Sequence, residues 1–149
     1  RAIHEGLKNV RLDGRFQTIE VESCPILLDV GHNPLAARVL VDFLKQTFPE
    51  KRIHAVFAMM NDKDFKGVIE TMKPVIYDWY ISPLKTPRTA KESDMLDAFH
   101  SCSVDNVNYG YADFSEALAA VKTSVENQDL IVIFGSFFLA SEFLAGQQT

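Results

Sequence analysis

The chain has 149 residues, 15 Lys plus Arg against 20 Asp plus Glu, a formal net charge of −5 and 47% hydrophobic residues. That length buries enough surface for a single core without a disulfide or metal staple. The acidic balance gives no broad attraction to phosphate backbones or anionic lipid, so nucleic acid and membrane are excluded as first partners. No apolar run reaches the roughly 18 residues that cross a bilayer, and the opening Arg-Ala-Ile-His-Glu lacks a signal-peptide layout, so a cytoplasmic location is expected. Cys24 and Cys102 are too few and too far apart for a disulfide framework or a zinc pair, and both are read as reduced packing residues.

In chain order, residues 1–12 fit no alternation and Asp13-Gly14 is a turn signal, so residues 1–13 read as a linker or the tail of something upstream, with the domain over 14–149. Apolar runs then predict strands at Phe16 to Val21, Ile26 to Val30, Ile53 to Met59, Val75 to Ser82, Val107 to Tyr109 and Leu130 to Phe134. Between them, Leu35, Ala36, Val39, Leu40, Phe43, Leu44 and Phe48 mark one helix face. Phe65, Val68, Ile69 and Met72 mark a second, and Ala117, Leu118, Val121 and Val125 a third. Near-continuous apolar strands alternating with helices predict an α/β, Rossmann-like three-layer domain: a mostly parallel six-stranded sheet with helices on both faces.

In such a sheet ligands bind beyond the carboxyl ends of the strands, so the turns leaving the strands are where chemistry can sit. The first is Asp29-Val30-Gly31-His32-Asn33-Pro34. Asn33-Pro34 is a helix start, an N-cap followed by proline at the first helical position, and its free N–H groups suit a carboxylate or phosphate. Asp29 and His32 either project into the crevice or hydrogen-bond the turn itself. The second is Phe134-Gly135-Ser136-Phe137, where Gly permits close backbone approach and Ser136 caps the next helix or meets a ligand. Phe138 stands where a nucleophile elbow needs its second glycine, so Ser136 is not read as a nucleophile.

The third turn, Met60-Asn61-Asp62-Lys63-Asp64, places Asp64 to cap the helix carrying Phe65, and no metal-ligand spacing accompanies it, so no metal residue is assigned. Arg15 enters the first predicted strand, and Arg88 follows the strand ending at Ser82. His4, His54 and His100 have no partnered spacing and are read as surface or packing residues. The chain has neither G-x-x-x-x-G-K-[ST] nor G-x-G-x-x-G, so any ATP phosphates would be cradled by another domain.

Together, Gly14-Arg15-Phe16-Gln17, Asp29 to Pro34, Met60 to Asp64, Pro87-Arg88 and Gly135-Ser136-Phe137 occur in an order that resembles the C-terminal domain of bacterial bifunctional folylpolyglutamate synthase/dihydrofolate synthase, in the Mur ligase superfamily. The resemblance runs from Gly14 onward, and Ala2-Ile3 with Gly6-Leu7 looks like the end of that family's central ATPase domain. It implies an ATP- and Mg²⁺-dependent acid–amino-acid ligase that activates a pteroate or folate carboxylate as an acyl phosphate and joins it to L-glutamate. The upstream ATPase domain would hold the phosphates and metal, leaving this fragment inactive alone. By motif position, Arg15 and Asp29 correspond to nucleotide contacts near the ribose. His32, Asn33, Ser136 and Lys63 correspond to the glutamate side. The rival readings are the C-terminal domain of a peptidoglycan Mur ligase and a non-catalytic flavodoxin-like binding module.

Overall fold

Residues 9–12, 16–21, 24–29, 31–126 and 128–146 are described in the computed structural model. The strands are β1 (Asn9–Leu12), β2 (Phe16–Val21), β3 (Cys24–Leu28), β4 (Ile53–Phe57), β5 (Asp78–Ile81), β6 (Val107–Asn108) and β7 (Leu130–Phe134). They form one sheet in the order β1-β2-β3-β7-β4-β5-β6. The pairs β1–β2 and β2–β3 are antiparallel, and the five strands from β3 to β6 in that order are parallel.

The helices are α1 (Pro34–Thr47), α2 (Phe65–Met72), α3 (Glu92–Ser101), α4 (Phe114–Ser124) and α5 (Phe137–Gly146). Every residue of β4 and β7 is buried, as expected of strands covered on both faces. Leu27, Ala55, Phe57, Trp79, Ile81, Val132 and Phe134 point toward α1, α2 and α3. Their neighbours Ile26, Leu28, Val56, Tyr80, Ile131 and Ile133 pack with Phe114, Ala117 and Val121 of α4 and Phe143 of α5. At the centre of the first layer, Trp79 lies edge-on to Phe57 at 5.5 Å and to Phe99 of α3 at 4.9 Å. Both cysteines are buried free thiols.

Two expectations are corrected. The sheet has seven strands rather than six, because Asn9–Leu12, inside the segment read as outside the alternation, pairs with β2 in the register Val10↔Thr18. Four residues at a sheet edge are too short for a period-two pattern to stand out. The Asp13-Gly14 turn and Val30 lie outside the described residues. The buried face of α1 is also different: Ala37, Leu40, Val41 and Leu44 are buried, while Leu35 is 76% and Val39 43% exposed. Helix α3, which no predicted stripe marked, buries Met95, Ala98 and Phe99.

The chain runs outward from β3 through β4 and β5 to β6 and then returns by α4 to insert β7 between β3 and β4. Consequently β3 leads into α1 on one face, whereas the adjacent β7 leads into α5 on the other. Neighbouring strands whose connections part to opposite faces open a crevice between them.

Candidate functional site at the carboxyl rim of the sheet

The crevice is framed by backbone hydrogen bonds. Asp29 N–H donates to Ile133 C=O at 3.0 Å, Ala58 N–H to Phe134 C=O at 3.4 Å and Ser82 N–H to Phe57 C=O at 3.0 Å. The turns leaving β3, β7, β4 and β5 therefore lie side by side on one rim. Gly135 makes the tightest approach: its φ is +108°, and a Cβ there would stand 2.3 Å from the carbonyl oxygen of Ala58. Only glycine combines that backbone conformation with that proximity.

Two helices begin at the rim, each for a local reason. Asn33 has extended backbone, and its Oδ1 accepts the Ala36 N–H at 2.8 Å, with Pro34 next as the first helical residue. Asp64 Oδ1 accepts the Gly67 N–H at 2.9 Å and so caps α2. A Cβ on Gly67 would lie 2.8 Å from Pro34 Cγ, so the missing side chain is what lets the first turns of α1 and α2 touch. Two positive dipole ends thus converge, and Lys63 immediately precedes the α2 cap. An anion is the ligand this arrangement favours.

The loop after β5 is stitched onto the loop after β4. Asn61 N–H donates to Arg88 C=O at 2.7 Å, Ala90 N–H donates to Met59 C=O at 2.9 Å, and Met60 bridges Thr89. Arg88 Nη2 donates to Asp62 Oδ2 at 3.3 Å in an exposed pair, which screening makes worth about 0–1 kcal/mol. The rim thereby gathers the turns Asp29 to Pro34, Met60 to Asp64 and Gly135-Ser136, together with Arg88. Asp29 and Ser136 form its buried part, whereas His32 and Asn33 are exposed and Lys63 is half-buried. Asp29, expected either to project into the crevice or to hydrogen-bond its turn, is 1% exposed. Arg15 lies outside the described residues.

The family profile described as Mur ligase, glutamate ligase domain matches residues 14–137. The chain belongs to that Mur ligase family. It is 34% identical over 145 residues to the dihydrofolate synthase/folylpolyglutamate synthase of Buchnera aphidicola subsp. Schizaphis graminum, covering 97% of this chain and 34% of that protein. A solved bifunctional folylpolyglutamate synthase/dihydrofolate synthase with Mn, AMPPNP and L-glutamate bound superposes with a TM-score of 0.80 and 29% identity. That superposition covers 93% of this chain and 32% of the other. A Yersinia pestis enzyme of the same name, complexed with AMPPNP and Mn ion, gives the same values. This Mur ligase domain therefore spans about a third of the length of the relatives it matches.

One group of the Mur ligase domain escaped the sequence reading. His54, expected as a surface or packing residue, is 1% exposed at the opposite, amino edge of the sheet. Its Nδ1 lies 2.6 Å from Asp78 Oδ1 and its Nε2 2.8 Å from Asp129 Oδ2, and Asp129 also accepts from Arg52 at 3.1 Å. Burial opposes the charge on His54, but the hydrogen bonds to Asp78 and Asp129 outweigh it and hold its pKa above the ordinary histidine value. Burial likewise opposes the Asp129 carboxylate, and hydrogen bonds from Arg52 and His54 outweigh it, lowering its pKa. Cys24, buried beside the Asp129 charge, is pushed up to about 11. The signal available in sequence was a single titratable residue inside the apolar run Ile53–Phe57. A cavity of about 610 Å³ also opens at this edge, lined by Glu50, Arg52, Glu126, Gln128 and Asp129, none of them from the rim turns. Among the described residues no group of three His, Cys, Asp or Glu is disposed to hold a metal ion, and no helix is long and apolar enough to cross a membrane.

Proposed function

We propose that this domain is the C-terminal, glutamate-binding part of a cytoplasmic ATP-dependent ligase that adds L-glutamate to dihydropteroate and/or folates through an acyl phosphate. The observation that carries the reading is the shared rim: the Asp29 and Ser136 turns leave adjacent strands joined by the Asp29 to Ile133 hydrogen bond. The names of the matched relatives and the ligands in the solved relatives support it.

In this reading the exposed His32, with the α1 terminus at Asn33, binds a glutamate carboxylate. Lys63 beside the α2 cap contributes a second cationic contact. The Oδ1 of Asn33 is committed to the cap, which leaves its amide N–H groups to donate to the ligand. Ser136 supplies a hydroxyl from the buried side, and Asp29, with Arg15, meets the ribose end of ATP, where a carboxylate accepts hydroxyl hydrogen bonds. Mg²⁺ neutralises phosphate charge when bound. In this reading the ion and the phosphates are held mainly by an upstream ATPase domain, in keeping with a sequence that carries neither G-x-x-x-x-G-K-[ST] nor G-x-G-x-x-G.

The task of this chain is then positioning. Holding an amine in line with an activated carboxyl is worth about 7–11 kcal/mol in favourable systems. Closure over the site also excludes water that would hydrolyse the activated intermediate.

The test is ADP release by the full-length enzyme with L-glutamate and either dihydropteroate or a muramyl peptide. Turnover with the muramyl substrate alone overturns the assignment. In the same assay His32→Ala raises the KM for glutamate more than that for ATP, and Asp29→Ala does the reverse. The opposite pattern overturns the division of roles. The 149 residues alone are expected to catalyse no ATP-dependent ligation.

A further inference from the structure

The proton count around His54 does not close with a neutral ring. A neutral imidazole has one donor and one acceptor nitrogen, yet both nitrogens of His54 face carboxylate oxygens, at 2.6 Å and 2.8 Å. Asp129 Oδ2 already accepts from Arg52 Nη2 and from the Glu126 N–H, each at 3.1 Å, so it is an acceptor here. On the other side, Asp78 Oδ2 accepts the Tyr80 hydroxyl at 3.2 Å. With a neutral ring between two ionised carboxylates, one of the two short contacts would set lone pair against lone pair.

We propose that His54 is a buried imidazolium clamp: it donates one N–H to Asp78 and the other to Asp129, tying the starts of β5 and β7 to β4, and loss of its proton releases the tie. The two aspartates come from different connections, Asp78 at the start of β5 and Asp129 immediately before β7. No single turn holds this cluster together, and the ring is the element common to both.

The groups facing the ring are mixed in charge. From the β4 side comes Arg52, whose guanidinium lies 4.6 Å over the Tyr77 ring and 3.8 Å from Glu126. Tyr77 itself stands edge-on to His54 at 5.5 Å. From β5 come Asp78 and the Tyr80 hydroxyl, and from the β7 approach comes Asp129. Cys24 on β3 donates its thiol to the Asp129 carbonyl at 3.0 Å. Two carboxylates contact the ring directly, while the Arg52 cation is engaged by Asp129 and Glu126, so the local balance favours a positive ring. The strands joined by the clamp carry the rim turns at their other ends: β4 leads to Lys63 and β7 to Gly135-Ser136.

The sign of the linkage follows from the raised pKa. The stabilisation is complete below the unfolded histidine value near 6.5 and is lost as pH rises through the folded value. Between those two values the folding equilibrium constant of the wild type falls about tenfold per pH unit relative to His54→Gln.

The experiment records ¹⁵N shifts of the imidazole rings in the 149-residue chain from pH 5 to 10, with His54 assigned through its backbone connection to Ala55. Both ring nitrogens of His54 are expected to retain imidazolium shifts to a higher pH than an ordinary histidine does. A neutral pattern at pH 7, one nitrogen protonated and one not, overturns the proposal. Urea unfolding of wild type and His54→Gln across the same range provides the second reading. Curves that stay parallel above pH 6.5 overturn it, and a wild-type curve falling away from the variant supports it. If His54→Gln does not fold, the wild-type ring shifts decide alone.

Discussion

Replacing Gly135 by alanine tests the geometry on which the rim depends. The added methyl would meet the Ala58 carbonyl oxygen at 2.3 Å and two ring carbons of Phe57 at 3.0 Å, on a residue whose φ is +108°. Holding a non-glycine residue in that conformation costs about 1–3 kcal/mol. Forcing β7 away from a fixed backbone atom in a packed core costs about 1–3 kcal/mol more. Gly110 is the matched control: its φ is +92° and a Cβ there meets nothing within 4 Å, so Gly110→Ala carries the conformational cost alone. Urea unfolding can be followed by the fluorescence of the sole tryptophan, Trp79, which is fully buried. The expected result is a loss of about 2–6 kcal/mol for Gly135→Ala, against about 1–3 for Gly110→Ala, with an unchanged denaturant slope. Equal losses for the two variants would refute the close approach between β7 and the backbone leaving β4.

Asn33→Ala and Asp64→Ala each remove a helix cap and should each lower stability by about 1 kcal/mol, measured by chemical denaturation. Asp129→Asn leaves the buried His54 without one of its charged partners and should cost about 3–5 kcal/mol near neutral pH. Because the Asp129 pKa is lowered on folding, its contribution is present above the unfolded value near 3.9 and is lost as pH falls through the folded value. Unfolding measured from pH 7 down to pH 2 should therefore show an acid loss in the wild type that is diminished in Asp129→Asn.

Much of the rim was legible because its turns are encoded locally. Asn33-Pro34 and Asp64 announce helix starts through residue types that satisfy free N–H groups within three positions, and both caps form. The strands β4 and β7 announce themselves by unbroken apolar character, since burial on both faces removes the need for alternation. The face of α1 was misjudged because Leu35 and Val39, four residues apart, mimic a core stripe. The packing of α1 against the sheet and α2 instead selects Ala37, Leu40, Val41 and Leu44. The His54 cluster was invisible for a different reason. Its partners are 24 and 75 residues away, and no local pattern links a histidine to carboxylates that only the sheet order brings beside it.

The placement of β7 has a consequence for how the sheet is assembled. This strand, next to last among the elements, is bonded to β3 on one side and β4 on the other, and β3 and β4 do not pair with each other. Until Leu130 to Phe134 arrive, the two halves of the sheet present raw facing edges that would invite foreign strands. A nascent chain stopped short of those five residues should therefore aggregate instead of forming a smaller version of the same domain.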